Sequence, residues 1–291
     1  MSTATLEAPA TTRSASPAPK KRSRQWGVKA ALSGLVFVSL FPYLFMLGTS
    51  VKDNLQFSEN YWMPVLPFHW ENYGRAWEQI QPYMVASVVV AVVAIVAIVA
   101  LSLVAGFVLA RYSFPGRSFF FVMIAALMMV PSISSLIPLF VMMRDFGLLN
   151  TYPVLIIPHV AGGVVIGTIL MKTFIEGIPQ ELFDAARVDG AGGPRMFASI
   201  MMPLSLPVIG TVALITINGV WNDFFWPLLT VTENELRTVS VGLLFFQGQS
   251  GTEYGPMFAG YMLASVPLLL LFTFLSKYFL AGVQGGLPGS H

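Results

Sequence analysis

The sequence predicts an all-α integral membrane protein with six transmembrane helices and a cytoplasmic helix–turn–helix between the fourth and fifth. Three observations predict it. Of the 291 residues, 55% are hydrophobic and only 10% are charged, and the mean hydropathy is +0.72. A soluble domain carries about 25% charged residues, so lipid is the expected solvent. Six apolar runs each reach the length needed to cross a hydrocarbon core of about 30 Å, about 20 residues at 1.5 Å rise. The basic residues, finally, are distributed unequally between alternate loops.

Residues 1–25 are rich in Ala, Ser, Thr and Pro and end in Lys20-Lys21-Arg22-Ser23-Arg24, the composition of a disordered basic tail. The first run, 27–50, is too long for a cleavable signal peptide and follows too long a polar stretch, so it reads as a retained span. The others are 83–110, 118–143, 152–171, 204–229 and 257–280. Val88-Val89-Val90-Ala91-Val92-Val93 contains strand-forming residue types, but lipid cannot satisfy a strand's edge groups, and helix follows. Pro42, Pro131, Pro138, Pro158 and Pro267 inside the runs predict kinks. Ser132, Ser134 and Ser135 beside Pro131 can satisfy backbone groups freed there. Gly163 and Gly167 form a small-x-x-x-small step suited to close helix packing. Of the connections, 51–82 is rich in Trp, Tyr and Pro and is expected to be partly folded on the outer surface. Residues 230–256 form a second outer loop, 172–203 a long inner one, and 284–291 a C-terminal tail.

With the N-terminus inside, 12 of the 16 basic residues are cytoplasmic, including Arg111, Arg117, Lys172, Arg187, Arg195 and Lys277. Lys52, Arg75, Arg144 and Arg237 fall outside. The positive-inside rule then places both termini in the cytoplasm. Tags near Ser14 and Gly251 are expected on opposite faces of the membrane; impermeant labelling of both from one side would overturn this topology.

The sequence also excludes chemistry. It has no cysteine, hence no disulfide, thiolate metal site or cysteine nucleophile. His69, His159 and His291 are scattered singly, so no metal site is expected. No G-x-x-x-x-G-K-S/T run is present to hold nucleotide phosphates. The spans contain no Ser/His/Asp group or paired carboxylates, so no catalytic residue and no cofactor is assigned to this chain, and nothing marks a nucleic-acid partner.

The inner loop is the most specific stretch. Pro179 suits the first turn of a helix and Glu181 its N-terminus. Gly190 suits a left-handed end, and Pro194 a second start. The first helix would carry an apolar face of Leu182, Phe183, Ala185 and Ala186. Physics alone leaves two readings open: a face for a protein partner, or an amphipathic connector on the headgroups.

The run Asp184-Ala185-Ala186, Asp189-Gly190-Ala191, Phe197, Ile200 and Pro203 resembles the coupling loop of binding-protein-dependent ABC importer permeases. Asp184 stands where that family usually has Glu, one carbon shorter, and Gly192-Gly193-Pro194 is a loose turn for this place. Phe114-Pro115-Gly116, Trp221-Asn222-Asp223-Phe224 and Ala281-Gly282-Val283-Gln284-Gly285-Gly286 extend the resemblance toward the smaller permease of the maltose-type, carbohydrate-importing class. The resemblance implies a six-span permease domain over 26–283 with its coupling loop at 176–203, a multi-pass protein of the cell inner membrane. It also implies a second permease, two ABC ATPase subunits holding ATP and Mg, and an extracytoplasmic sugar-binding protein. Asp184, Ala185, Ala186, Asp189 and Gly190 would couple to the ATPase. Glycerol phosphate or a polyol remain alternative cargoes. An ion-coupled secondary transporter is the alternative mechanism, although it would need paired intramembrane carboxylates and only Asp223 is found.

Polar groups at membrane depth are functional candidates by default. Asn218, Trp221, Asn222 and Phe225 recur at i, i+3, i+4 and i+7 and predict one helical face. Amides and aromatic rings suit a sugar's hydroxyls and C–H faces, and equally suit interhelical packing. Asp223 lies off that stripe and is expected to pair with a basic residue of a partner or to cap a helix. His159, after Pro158, reads as a structural donor.

Overall fold

Apolar runs surrounded by lipid leave the backbone one local way to satisfy its hydrogen bonds, and every regular element among the described residues is helical. The structure is a computed structural model that describes residues 22–250 and 253–285. Most of the basic tail, the tag position at Ser14, the loop tip at Gly251 and the last six residues lie outside the described residues. The chain divides into two units, up to Phe45 and from Met46 onward.

α1 (Arg22–Ser50) runs unbroken through Pro42. Leu35, Phe37 and Val38 are each more than 60% exposed, the surface of a helix that meets an apolar medium. In the second unit, α2 (Asn54–Glu59) is closed by a capping box between Asp53 and Gln56. α3 (Glu71–Arg111) is continuous over 41 residues, twelve earlier at its start than the apolar run suggests. Its buried residues Ile80, Met84, Ser87, Ala91, Ala94, Ile98 recur at three and four and form one inward stripe.

The third apolar run does not form one straight helix. α4 (Arg117–Leu127) and α5 (Leu136–Asp145) are separated by Pro131 and a 3-10 turn of Ser132–Ser135, with a bend of 87° between them. α6 (Tyr152–Glu176) instead passes through Pro158 without a break, with Pro153 in its first turn where no N–H partner is needed. It is followed by α7 (Gln180–Val188), α8 (Gly193–Met196), a π-turn over Phe197–Met201 and α9 (Met202–Leu204). After a 71° bend comes α10 (Leu206–Asn222). The chain then breaks again before α11 (Phe225–Thr230), α12 (Val239–Ser250) and α13 (Tyr254–Gly285). Among the described residues four helices are long and apolar enough to cross a bilayer, and up to six if each bent pair counts as one span.

Close packing of α3 on α6 organises this unit. A Cβ added to Gly163 would lie 2.3 Å from Ile98, one at Gly167 2.3 Å from Ser102 Oγ, and one at Gly106 2.6 Å from Met171 Cβ. The small-x-x-x-small step therefore sits at the helix–helix contact, where only a missing side chain lets the backbones approach. α10 and α7 complete the same apolar core, and Tyr83, Trp221, Phe246 and Ala259 form a second, smaller one.

The segment between α1 and α3 is folded around a buried cation. Lys52 is 1% exposed, and its ammonium donates to the carbonyls of Asn60 (2.6 Å) and Tyr61 (3.1 Å). Desolvation holds its pKa below the ordinary lysine value. Asn72 Nδ2 ties down the Ser50 and Lys52 carbonyls, both at 2.9 Å. Lys52→Met keeps the stem but strands two carbonyls, a loss of about 1–3 kcal/mol. It is expected to raise amide exchange across 54–68 selectively; unchanged exchange there would mean that Lys52 does not hold the segment.

Candidate functional site

Two places collect the residues that the sequence singles out. The first is the loop between α6 and α10. Helix spacing divides the α7 side chains: Phe183 (2% exposed) and Ala186 (9%) turn inward, while Leu182 (45%) and Val188 (88%) turn outward. Ala185, Asp184, Asp189 and Gly190 are also exposed. The predicted apolar face is therefore split. Ala186 packs into the core instead of presenting itself with Ala185, because residues one apart on a helix point about 100° apart. Asp184 is outward, but accepts from Gln180 Nε2 and Arg187 Nη1 at 3.0 Å each. Both members of the Asp184–Arg187 pair are about half exposed, which leaves the carboxylate free to exchange partners.

The end of α7 is a Schellman turn. Gly190 has φ +77°, its N–H donates to Arg187 O at 3.0 Å, and Ala191 N–H donates to Ala186 O at 2.8 Å. The left-handed residue is the one that the sequence assigned to this job.

What seats α7 was not foreseen. Arg111, the last residue of α3, donates to the carbonyls of Ile175 and Ile178 and, at 2.8 Å, to Gln180 Oε1. Its guanidinium lies 4.2 Å from the centroid of the Phe183 ring. Phe107, one turn earlier, contacts Phe183, Phe197 and Tyr112 at ring-centroid distances of 6.4, 5.5 and 5.6 Å. One helix end therefore caps α6, the start of α7 and the π-turn together. In the sequence Arg111 is only a positive charge closing an apolar run, and its partners are backbone carbonyls, which no residue pattern announces.

The second place is the break after α10. Asn218 and Asn222 share an exposed face, joined by Asn222 Nδ2 donating to Asn218 O at 2.9 Å. Trp221 is 5% exposed and packs into the smaller core. Phe225 is exposed but lies beyond the break, so the helical periodicity that would place it with Asn218 does not reach it. The predicted four-residue stripe is thus two amides, one core aromatic and one residue of another helix.

Asp223 occupies the break. Its Oδ1 accepts from Trp226 N at 3.4 Å, and Trp226 Nε1 donates to Val154 O of α6 at 2.7 Å. Its Oδ2 lies 3.2 Å from His159 Nε2, with both side chains 21% exposed. The basic partner expected for Asp223 is thus found within this chain.

Residues 102–285 match the family described as binding-protein-dependent transport system inner membrane component. A probable ABC transporter permease protein of Bacillus subtilis, YurM, is 32% identical over 274 residues, covering 91% of each chain. An arabinooligosaccharides transport system permease of Halalkalibacterium halodurans is 28% identical, over 91% of this chain and 96% of its own. A diacetylchitobiose uptake system permease of Streptomyces coelicolor is 30% identical, over 86% and 84%. Among solved structures, a chain of a bacterial ABC transporter involved in import of the acidic polysaccharide alginate has the same fold. Its TM-score is 0.72 at 23% identity, covering 91% of this chain and all of that one.

Proposed function

This chain belongs to the family of binding-protein-dependent transport system inner membrane components, and from that premise we propose that it is the carbohydrate-translocating permease subunit of an ATP-driven importer. It is a multi-pass membrane protein and an ABC permease. The oligosaccharide cargoes named for its relatives support a sugar as cargo. The observation that carries the coupling part of the reading is α7. It lies outside the long apolar helices, seated from below by Phe183 and Ala186, while Leu182, Ala185 and Val188 face outward with nothing from the described chain over them. A rigid helix with an unburied apolar edge fits a groove on an ATPase. Two such ATPases, a second permease and an extracytoplasmic binding protein complete the importer, with ATP and Mg held in the ATPases. Both termini are cytoplasmic in this reading. Translocation is alternating access: closure of the ATPases moves α7, and α7 moves the helices that it is latched to.

The test is uptake by the reconstituted complex with radiolabelled raffinose, maltotriose and arabinotriose. Uptake of one of them, dependent on ATP and on the binding protein, is expected; uptake driven by an ion gradient without ATP would replace this reading by a secondary transporter.

Asn218 and Asn222 are the pathway amides in this reading, with Phe225 beyond the break and Trp221 packed behind them in the smaller core. Asn222→Leu is expected to lower affinity in uptake on the order of tenfold, the loss of one hydrogen bond to a hydroxyl, while the subunits still assemble. Failed assembly with unchanged affinity would make the amides packing elements.

A further inference from the structure

A glycine inside a helix costs about 0.5–1 kcal/mol relative to alanine. For Gly163 and Gly167 the close approach of α3 explains the choice. Gly162 and Gly219 differ: a Cβ at either meets nothing within 4 Å, and neither has a positive φ. Both line a recess of about 230 Å³ between α6 and α10, walled by Pro158, Ile166 and Ile215 and bordered by His159. The side chains missing at Gly162 and Gly219 leave this recess open and contribute nothing to helix packing.

His159, on the wall of the recess, is held in place by a residue beyond the lining. Asp223 is fixed at the chain break by Trp226, which is itself pinned to α6, and the carboxylate holds His159 by Nε2. An imidazole bonded at one nitrogen offers the other as acceptor when neutral and as donor when charged. A sugar hydroxyl donates and accepts at once, and the C–H faces of the ring suit the apolar walls. A His–carboxylate contact at membrane depth is costly against lipid, a cost that water or hydroxyls in the recess would remove.

We propose that this recess is a water-filled subsite for a neutral carbohydrate. His159, positioned by Asp223, binds a hydroxyl there, and Gly162 and Gly219 leave room for the ring. The proposal rests on the permease reading above and adds a contact made by this chain. Asn222, three residues beyond Gly219 on α10, lies one turn from the recess toward the break.

The absence of cysteine gives a direct test. In the assembled complex in native membranes, Gly162→Cys and Gly219→Cys are treated with charged methanethiosulfonate ethylsulfonate. Remaining thiols on this chain are then read by a maleimide–polyethylene glycol gel shift. Val96→Cys, 64% exposed in the apolar run of α3, is expected to face lipid and serves as the reference for such a position. Both glycine positions are expected to react at least tenfold faster than Val96→Cys. Whichever of raffinose, maltotriose and arabinotriose the complex takes up should slow them. His159→Gln or Asp223→Asn should abolish that protection and raise the half-saturating concentration for uptake on the order of tenfold. Reaction no faster than at Val96→Cys, or protection that survives both polar substitutions, would overturn the subsite. Failure of the unsubstituted complex to transport any of the three sugars with ATP would instead refute the carbohydrate cargo on which the subsite rests.

Discussion

Gly190→Val is expected to uncouple ATP hydrolysis from transport, lowering both binding-protein-stimulated ATPase activity and uptake by about 10- to 30-fold. The cause is conformational. A Cβ at Gly190 meets nothing within 4 Å, so no clash contributes. At φ +77°, however, an L-residue pays roughly 1–2 kcal/mol, and a β-branched one more. Each 1.4 kcal/mol is tenfold in a population, here the population with the Schellman turn closed and α7 correctly angled. The series Asn, Ala, Val at this position should lose activity in that order, since Asn tolerates the left-handed region best. The measurement is ATPase activity of the reconstituted complex with and without sugar-loaded binding protein, beside uptake. A valine variant that transports at the normal rate would reduce α7 to a bland connector.

The sequence made Gly190 legible because one residue there carries one backbone requirement. The same holds for the start of α6 at Tyr152, although the helix runs on to Glu176, five residues past the apolar run, and for the small step at Gly163 and Gly167, where missing side chains mark the contact with α3. Periodicity failed where a helix stopped. Nothing in Asn218, Trp221, Asn222 and Phe225 reveals that α10 ends at Asn222, because a polar residue at membrane depth can interrupt a helix or sit on it. The contact of His159 with Asp223 joins residues 64 apart in sequence, and such pairs follow from packing. On α7 the spacing itself held the answer: 183 and 186 are three apart and share the buried face, while 182 and 185 share the other. A bulky residue meant to block docking therefore belongs at Ala185, since at Ala186 it would unseat the helix from its own chain.

Arg111→Met should break the link between α7 and the membrane helices. The substitution keeps an apolar stem against Phe183 but removes the donors to Ile175 O, Ile178 O and Gln180 Oε1. Ile175 is fully buried and Ile178 8% exposed, so their carbonyls have little access to water as a replacement. With charged donors worth about 1.5–3 kcal/mol per bond, the loss is on the order of 3 kcal/mol or more, concentrated where α3, α6 and α7 meet. If α7 passes motion to α3 through this guanidinium, ATP turnover without the latch does less to the pathway. Sugar moved per ATP hydrolysed should then fall steeply, and trypsin should cut faster at Arg187 and Arg195 in the loosened loop. Arg111→Lys should fall between, because a compact ammonium keeps the charge but cannot match the guanidinium's planar fork across Ile175 O, Ile178 O and Gln180 Oε1 together. That variant also keeps the test decisive if the methionine form fails to accumulate. Normal uptake per ATP in both variants would mean that Arg111 only caps the end of α6, and that the motion reaches the pathway by the aromatic contacts of Phe107 instead.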